Sequence, residues 1–374
     1  MKNTVTISFT GDMMCEREMA ALTGNQFDGI FPHIKDAMKG SDYVVGNLET
    51  PVAGEELRFT FERYAFNTSE NYLASIKKAG FDLLSLANNH VMDRGEEGLL
   101  KTLENCRKYG FDVTGTNAAE DASRVFVREI GGIKVAFIAY TYGTNAFAHR
   151  RFLEHEWMVN LFQPEETKDG SIHLLESAED IAAKVEELYR KPNPVYDAVV
   201  KPYLDRLEAD VKRAKEEADY VIVLAHVGGQ RNGEPDAYSR FIMEKLREFG
   251  ADLIIGNHPH VIQPSEKKDG VFTAYCLGNL IFTYHPEDPA DVDMRYSVIL
   301  HLKLEKTEKG ISEHISFEVF ALNEVSGVAC PENAFDLWRK TGDKTVRKTA
   351  LALANVFAGG LARYEDIAEE YDLY

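Results

Sequence analysis

Surplus positive charge is the first thing this chain lacks: over 374 residues it carries 42 Lys and Arg against 61 Asp and Glu, a formal net charge of -19. Extended binding to nucleic acid or to an anionic membrane draws its affinity from Lys/Arg clusters, so neither is expected as a partner, although a local basic pocket is compatible with the total. Cysteine is scarce. The four residues, Cys15, Cys106, Cys276 and Cys330, stand far apart, with neither the paired spacing of a metal site nor the density of a disulfide scaffold, and they read as reduced thiols. Nowhere do 18 uncharged apolar residues follow one another, and the opening MKNTVTISFTGD turns into a strand-like alternation without the apolar centre of a signal peptide. No membrane span is expected, and a cytoplasmic location is. Internal repeats and low-complexity tracts are also missing.

What is present is a core-sized apolar content, 44% of residues, and a recurring cadence. In GSDYVVGNLE, AGFDLLSLANNH, EADYVIVLAHVGG and GADLIIGNHPH an Asp (Asp42, Asp82, Asp219, Asp252) precedes an apolar run that ends in a polar cluster. Buried strands alternating with helices predict a layered α/β fold. The runs end in groups able to bind a metal: Asn47 and Glu49, Asn89 and His90, His226, then His258 and His260, with Asp12 ending the first strand. Strand ends of open α/β sheets are where ligands bind. KVAFIAYTY and FTAYCLGNLIF read as two further strands, the second carrying Gly278 and Asn279 near its end. The stretch from 144 to 204, with HRRFLEHEWMVNLF and an acidic helical run, reads as an insertion or lid within a domain spanning 1–330. A helical C-terminal extension, exposed at its acidic end, follows over 331–374.

Carboxylates from Asp12 and Glu49 with imidazoles from His226, His258 and His260 form a mixed oxygen and nitrogen set suited to one or two divalent transition metals, Mn, Zn or Fe. Glu49 could bridge two ions, Asn89 could lend a carbonyl oxygen, and His90 would then be free to act on a substrate. On an extended backbone His258 and His260 would share a face, whereas a strand-end loop could turn them toward different ions. Each residue also has a plainer reading: NNH could cap the following helix, and Glu49 could be a solvated turn residue. Asp93 either orients His90 or caps that helix. Arg63, Arg94 and Arg231 are candidates to hold an anionic group, Asn47 and Asn279 to face the substrate, and Cys15 to be a thiolate near the metal or a packed thiol.

In order and spacing, FTGDMM, NLETPV, AGFDLLSLANNHVMDRG, AHVGG, GADLIIGNHPHVIQP and YCLGNLIF, over about residues 5 to 285, resemble the CapA/PgsA-type capsule-synthesis proteins associated with poly-γ-glutamate, a branch of the calcineurin-like metallophosphoesterase superfamily. The resemblance implies a four-layer α/β/β/α sandwich of two mixed sheets. It places Asp12, Glu49, Asn89, His226, His258 and His260 on metal-ligand positions and His90 on that of the general acid and charge stabiliser. It implies a metal-dependent hydrolase of a phosphoester or γ-glutamyl amide, linked to capsule polymer synthesis or processing, with a small anionic substrate or poly-γ-glutamate and capsule-assembly proteins as partners. The alternative is a non-catalytic metal-binding accessory protein. Three departures stand out: Met14 replaces the His of the superfamily's Asp-x-His, Glu49 replaces the usual bridging Asp, and HVGGQ lacks the aromatic and acidic residues expected around its His.

Overall fold

Along β1 (Thr4–Met13), Val5, Ile7 and Phe9 alternate with Thr6, Ser8 and Thr10, and this two-residue period sends the apolar set into the main core. The computed structural model describes residues 4–61, 64–165, 200–283, 294–325 and 328–374. β1 runs parallel to β2 (Tyr43–Leu48), which continues through β3 (Leu83–Ser85) to β4 (Asp112–Thr114). The next strands build a second sheet. There β5 (Phe126–Ile130) pairs antiparallel with β6 (Ile133–Thr141), β7 (Tyr220–His226) and β8 (Leu253–Asn257) follow in parallel, and β9 (Ser265–Lys268) closes the edge against β10 (Val271–Ala274).

The chain then returns to the first sheet. β11 (Asn279–Ile281) lies parallel to the end of β1, and the hairpin of β12 (Tyr296–Thr307) and β13 (Gly310–Val325) joins on through the antiparallel β1–β12 ladder. β14 (Val328–Asn333) and β15 (Tyr371–Asp372) both pair with β13. Both sheets are therefore mixed, and their facing side chains form one core from Val5, Phe9, Phe137, Ile222, Leu253 and Phe317 among others.

Helices cover the outer faces. Pro32–Ala37, Asn71–Ala79 and Gly95–Lys108 pack on the first sheet through Ile34, Tyr72 and Leu103; Lys201–Glu217 and Ala237–Phe249 pack on the second through Leu207 and Phe241. Local chemistry sets their ends: Asp236 accepts a hydrogen bond from the Ser239 N–H to start one helix, and Gly250, at φ +108°, stops it. This is the expected α/β/β/α sandwich.

FTAYCLGNLIF departs from the single-strand reading. It splits into β10 in the second sheet and β11 in the first, because Gly278 turns the chain at φ +78° where a Cβ would lie 2.6 Å from the Tyr296 carbonyl oxygen. The long β12–β13 hairpin has no counterpart among the strands expected from the sequence. In the C-terminal segment Ala334–Thr341 and Lys344–Ala358 are helical, as expected; Glu365, Asp366, Glu369 and Glu370 are exposed while Ile367 among them, and Tyr371 and Leu373 after them, are buried in the inter-sheet core. Residues 166–199 of the expected insertion lie outside the described residues.

Candidate metal centre

Six strands, β1, β2, β3, β6, β7 and β8, send the chain out at the same end, and the polar clusters of the sequence meet there across the seam between the sheets. The approach is tight: a Cβ on Gly11 would fall 1.9 Å from the Gly278 carbonyl oxygen and one on Gly256 2.0 Å from that of Tyr275. Asp12 is fully buried. Its Oδ1 accepts from Asn47 Nδ2 at 2.7 Å, its Oδ2 from the His258 N–H at 3.2 Å, and His260 Nδ1 lies 3.2 Å from the same Oδ2. Asn279, paired with Asp12 across β11, brings Oδ1 within 2.9 Å of His260 Nδ1.

Glu49 sits at the centre. It has no solvent exposure, and among the described residues neither carboxylate oxygen has a hydrogen-bond partner; Oε1 lies 3.5 Å from His226 Nε2 and 3.9 Å from His260 Nε2. His226 Nδ1 lies 3.2 Å from Asn47 Nδ2, and its Nε2 lies 2.8 Å from Asn89 Oδ1. Two groups of three, Glu49–His226–His258 and Asp12–Glu49–His260, each offer ligand atoms within 4.8 Å of one another, and Glu49 belongs to both. The two histidines of HPH part company because both backbones are left-handed, His258 at φ +103° and His260 at φ +63°, a strained state held by the surrounding packing.

Electrostatics follow from burial and this crowding. Burial, with His226 and His260 beside it, drives His258 well below its ordinary range and keeps it neutral, the form that ligates metals. Burial also opposes the charge on His260, yet Glu49 and Asp12 push it up to about 9. Asp12 is penalised by burial too, and its bond to His260 still holds it below the usual carboxylate range. A buried carboxylate with two unpartnered oxygens and a neutral imidazole whose Nδ1 is unpartnered fit a divalent cation, because such groups are costly to bury unless paired or coordinating.

Beside this cluster the NNH triplet divides its tasks. Asn88 clamps the loop by donating to the Leu48 carbonyl at 2.8 Å, Asn89 joins the cluster, and His90 stacks on Phe66 at 4.3 Å between ring centres. His90 Nδ1 and Asp93 Oδ2 are 2.7 Å apart, and the same oxygen accepts from the Phe66 N–H at 2.6 Å. Asp93 thus contacts His90 and Phe66, and Arg94 is the residue at the start of the helix Gly95–Lys108. Burial disfavours the charge on His90, but Asp93 raises its pKa above the ordinary value.

Family membership rests on a match across most of the chain: residues 6–284 fit the model of the family described as bacterial capsule synthesis protein PGA_cap. The chain belongs to that family. Its relatives include the PGA biosynthesis protein CapA of Bacillus subtilis strain 168, 24% identical over 91% of this chain and 77% of the relative. The capsule biosynthesis protein CapA of Bacillus anthracis is 27% identical over 74% of this chain and 60% of the relative. A solved 5'-nucleotidase from Candida albicans SC5314 shares 12% identity at a TM-score of 0.36, covering 83% of this chain and 50% of that one; a likeness so distant bears on neither substrate nor mechanism.

Within this PGA_cap chain the other expected site residues scatter. Arg94 spends its guanidinium on the backbone carbonyls of Leu57, Arg58 and Asp93, bracing the loop around residues 57–58. Arg231 is exposed, with its backbone N–H bonded to the Pro259 carbonyl inside HPH. Arg63 lies outside the described residues. Met14 packs in an apolar cluster with Phe66, Val261 and Phe282. Cys15 is a packed thiol, pushed up to about 12 by burial and donating to Thr68 Oγ1.

Three residues went unread. Tyr142 lies 4.7 Å from the His258 ring, Asn145 Oδ1 accepts from Asn89 Nδ2 at 3.2 Å, and His149 Nδ1 stands 3.0 Å from Asp93 Oδ1. The signal was there, since TYGTNAFAH is a polar cluster ending an apolar strand like the others; assigning its residues from 144 onward to an insertion hid it. Among the described residues no helix is long and apolar enough to cross a membrane.

Proposed function

We propose that this protein is a metal-dependent hydrolase of a small anionic substrate carrying a phosphoester or γ-glutamyl amide, working in capsule polymer synthesis or processing. One observation carries the reading: Glu49, buried with both oxygens unpartnered, is common to two sets of metal-type donors. Asp12, Glu49 and His260 would hold one divalent transition metal, Mn, Zn or Fe; Glu49, Asn89, His226 and His258 would hold another. Such ions lower the pKa of bound water and polarise a phosphoryl or carbonyl oxygen.

The chain's own residues do the rest. Asp93 holds His90 by Nδ1, leaving Nε2 as the nitrogen that passes a proton to the leaving group. Asn47 keeps Asp12 and His226 in register with each other. Asn279 restrains His260. Arg231 would serve as an anchor for the anion, whereas Arg94 acts by bracing the loop.

The packing of Met14 away from the cluster favours the second expected reading, a non-catalytic metal-binding accessory protein, because the first set keeps only three donors. The test begins with metal content per chain by mass spectrometry, on tag-free protein offered Zn, Mn and Fe in turn. Phosphodiester and γ-glutamyl chromogenic probes then follow on the loaded protein. One or two ions with turnover of either probe supports the hydrolase. Bound metal without turnover of either selects the accessory role, and no metal at all overturns both.

A further inference from the structure

The first residues of the segment after β6 reach back to the centre at two points. Asn145 Oδ1 accepts from Asn89 Nδ2, and because an amide has one oxygen and one nitrogen, this fixes the Asn89 oxygen on the side of His226 Nε2, 2.8 Å away. Four residues on, His149 Nδ1 stands 3.0 Å from Asp93 Oδ1, at ion-pair distance but outside hydrogen-bond geometry, and among the described residues neither atom has a hydrogen-bond partner. The other oxygen of Asp93 is already taken by His90 Nδ1 and the Phe66 N–H. The carboxylate is thus flanked by an imidazole at each oxygen, the two ring centres 6.3 Å apart.

The backbone is shaped for these contacts. Asn145 and Arg150, which bracket the short helix Ala146–His149, both adopt left-handed conformations near φ +54°, uncommon for non-glycine residues. Thr144 is tied to Glu165, which also accepts from the Leu153 N–H, so the ends of the turn are anchored independently of the centre.

We propose that His149 is a positioning residue of the site: it immobilises Asp93, and through Asp93 it sets the ring of His90, with Asn145 seating the same turn against Asn89. A carboxylate held at one oxygen alone can rotate about its terminal torsion, and an imidazole packed at ion-pair distance from the other oxygen restricts that rotation. His149 itself touches no reacting atom in this scheme. For its kinetic consequence the inference rests on the hydrolase reading; for its structural content it does not.

The experiment therefore has two arms, on the full chain. In the first, histidine-selective 15N labelling reads the ring nitrogens of His90 in wild type, His149→Ala and His149→Asn, with His90→Ala supplying the assignment. A His90 Nδ1–H bonded to Asp93 is expected in wild type, broadened or lost in H149A and recovered in H149N, whose amide can still donate. An unchanged His90 signal in H149A overturns the proposal. In the second arm, on metal-loaded protein, kcat on the probe that wild type turns over should drop ~10- to 100-fold in H149A with KM and metal content unchanged, and partly recover in H149N. A fall in metal content, or an effect confined to KM, overturns it as well. Should wild type turn over no probe, the hydrolase reading fails while the labelling arm still decides on His149.

Discussion

At the scale of single residues, Glu49 and His90 make opposite predictions. Glu49 serves both donor sets, so Glu49→Ala should leave protein with almost no bound metal, whereas Asp12→Ala removes a ligand from one set only and should lower the content by at most one ion; mass spectrometry per chain separates the two. His90 lies beside the donor sets, so His90→Ala should keep the metal content of wild type and lose ~10²- to 10⁴-fold in kcat on whichever probe is turned over. Much of this cluster was legible from the sequence. Acidic, amide and imidazole side chains at five strand ends form a pattern that one coincidence explains poorly, and Asp12, Glu49, Asn89, His226, His258 and His260 do come together. How HPH divides was not legible, since it depends on two positive φ angles imposed by packing. His149 escaped because its stretch reads as the start of an insertion, although it continues from the polar end of β6.

At the scale of elements, strand ends act as brackets for the centre, and their close approach is what the glycines permit. Gly11→Ala would drive a methyl against the Gly278 carbonyl and push β1 away from β11, separating Asp12 from Asn279. The expected cost is about 3 kcal/mol or more, seen as a lower melting temperature together with weaker metal binding. Parallel strands buried on both faces were readable as apolar runs, which is why β2, β7 and β8 were found close to their true places. The passage of FTAYCLGNLIF from one sheet to the other was not, because an apolar run does not reveal which sheet each half joins; Gly278 in its middle was the signal that a break falls there.

For the whole molecule, the centre lies on the seam: Asp12, Asn47, Glu49 and Asn89 come from the first sheet, and His226, His258 and His260 from the second. A bound ion should therefore tie the sheets together. Ligand present at about 100 times its dissociation constant stabilises the folded state by about 2.7 kcal/mol, so melting should shift upward by a few degrees on addition of the preferred metal and return on chelation. The C-terminal segment belongs to the same body. Tyr371 stacks on Phe317 at 5.1 Å and Leu373 is buried in the inter-sheet core, so removing residues 359–374 should lower the melting temperature and not merely trim a surface.

The ladder between β1 and β12 has one more consequence, and it concerns time. Ser8 and His301 face each other across that ladder at a sequence separation of 293, so the first half of the strand that carries Asp12 gains its second neighbour only when residues near 300 arrive. Contacts so remote in sequence form late. A centre that depends on them is expected to be absent from the folding transition state, and what is absent there slows unfolding without hastening folding. Metal should thus leave the refolding rate in denaturant jumps unchanged while lengthening the lifetime of the native state, making the ion a latch set after the chain has closed.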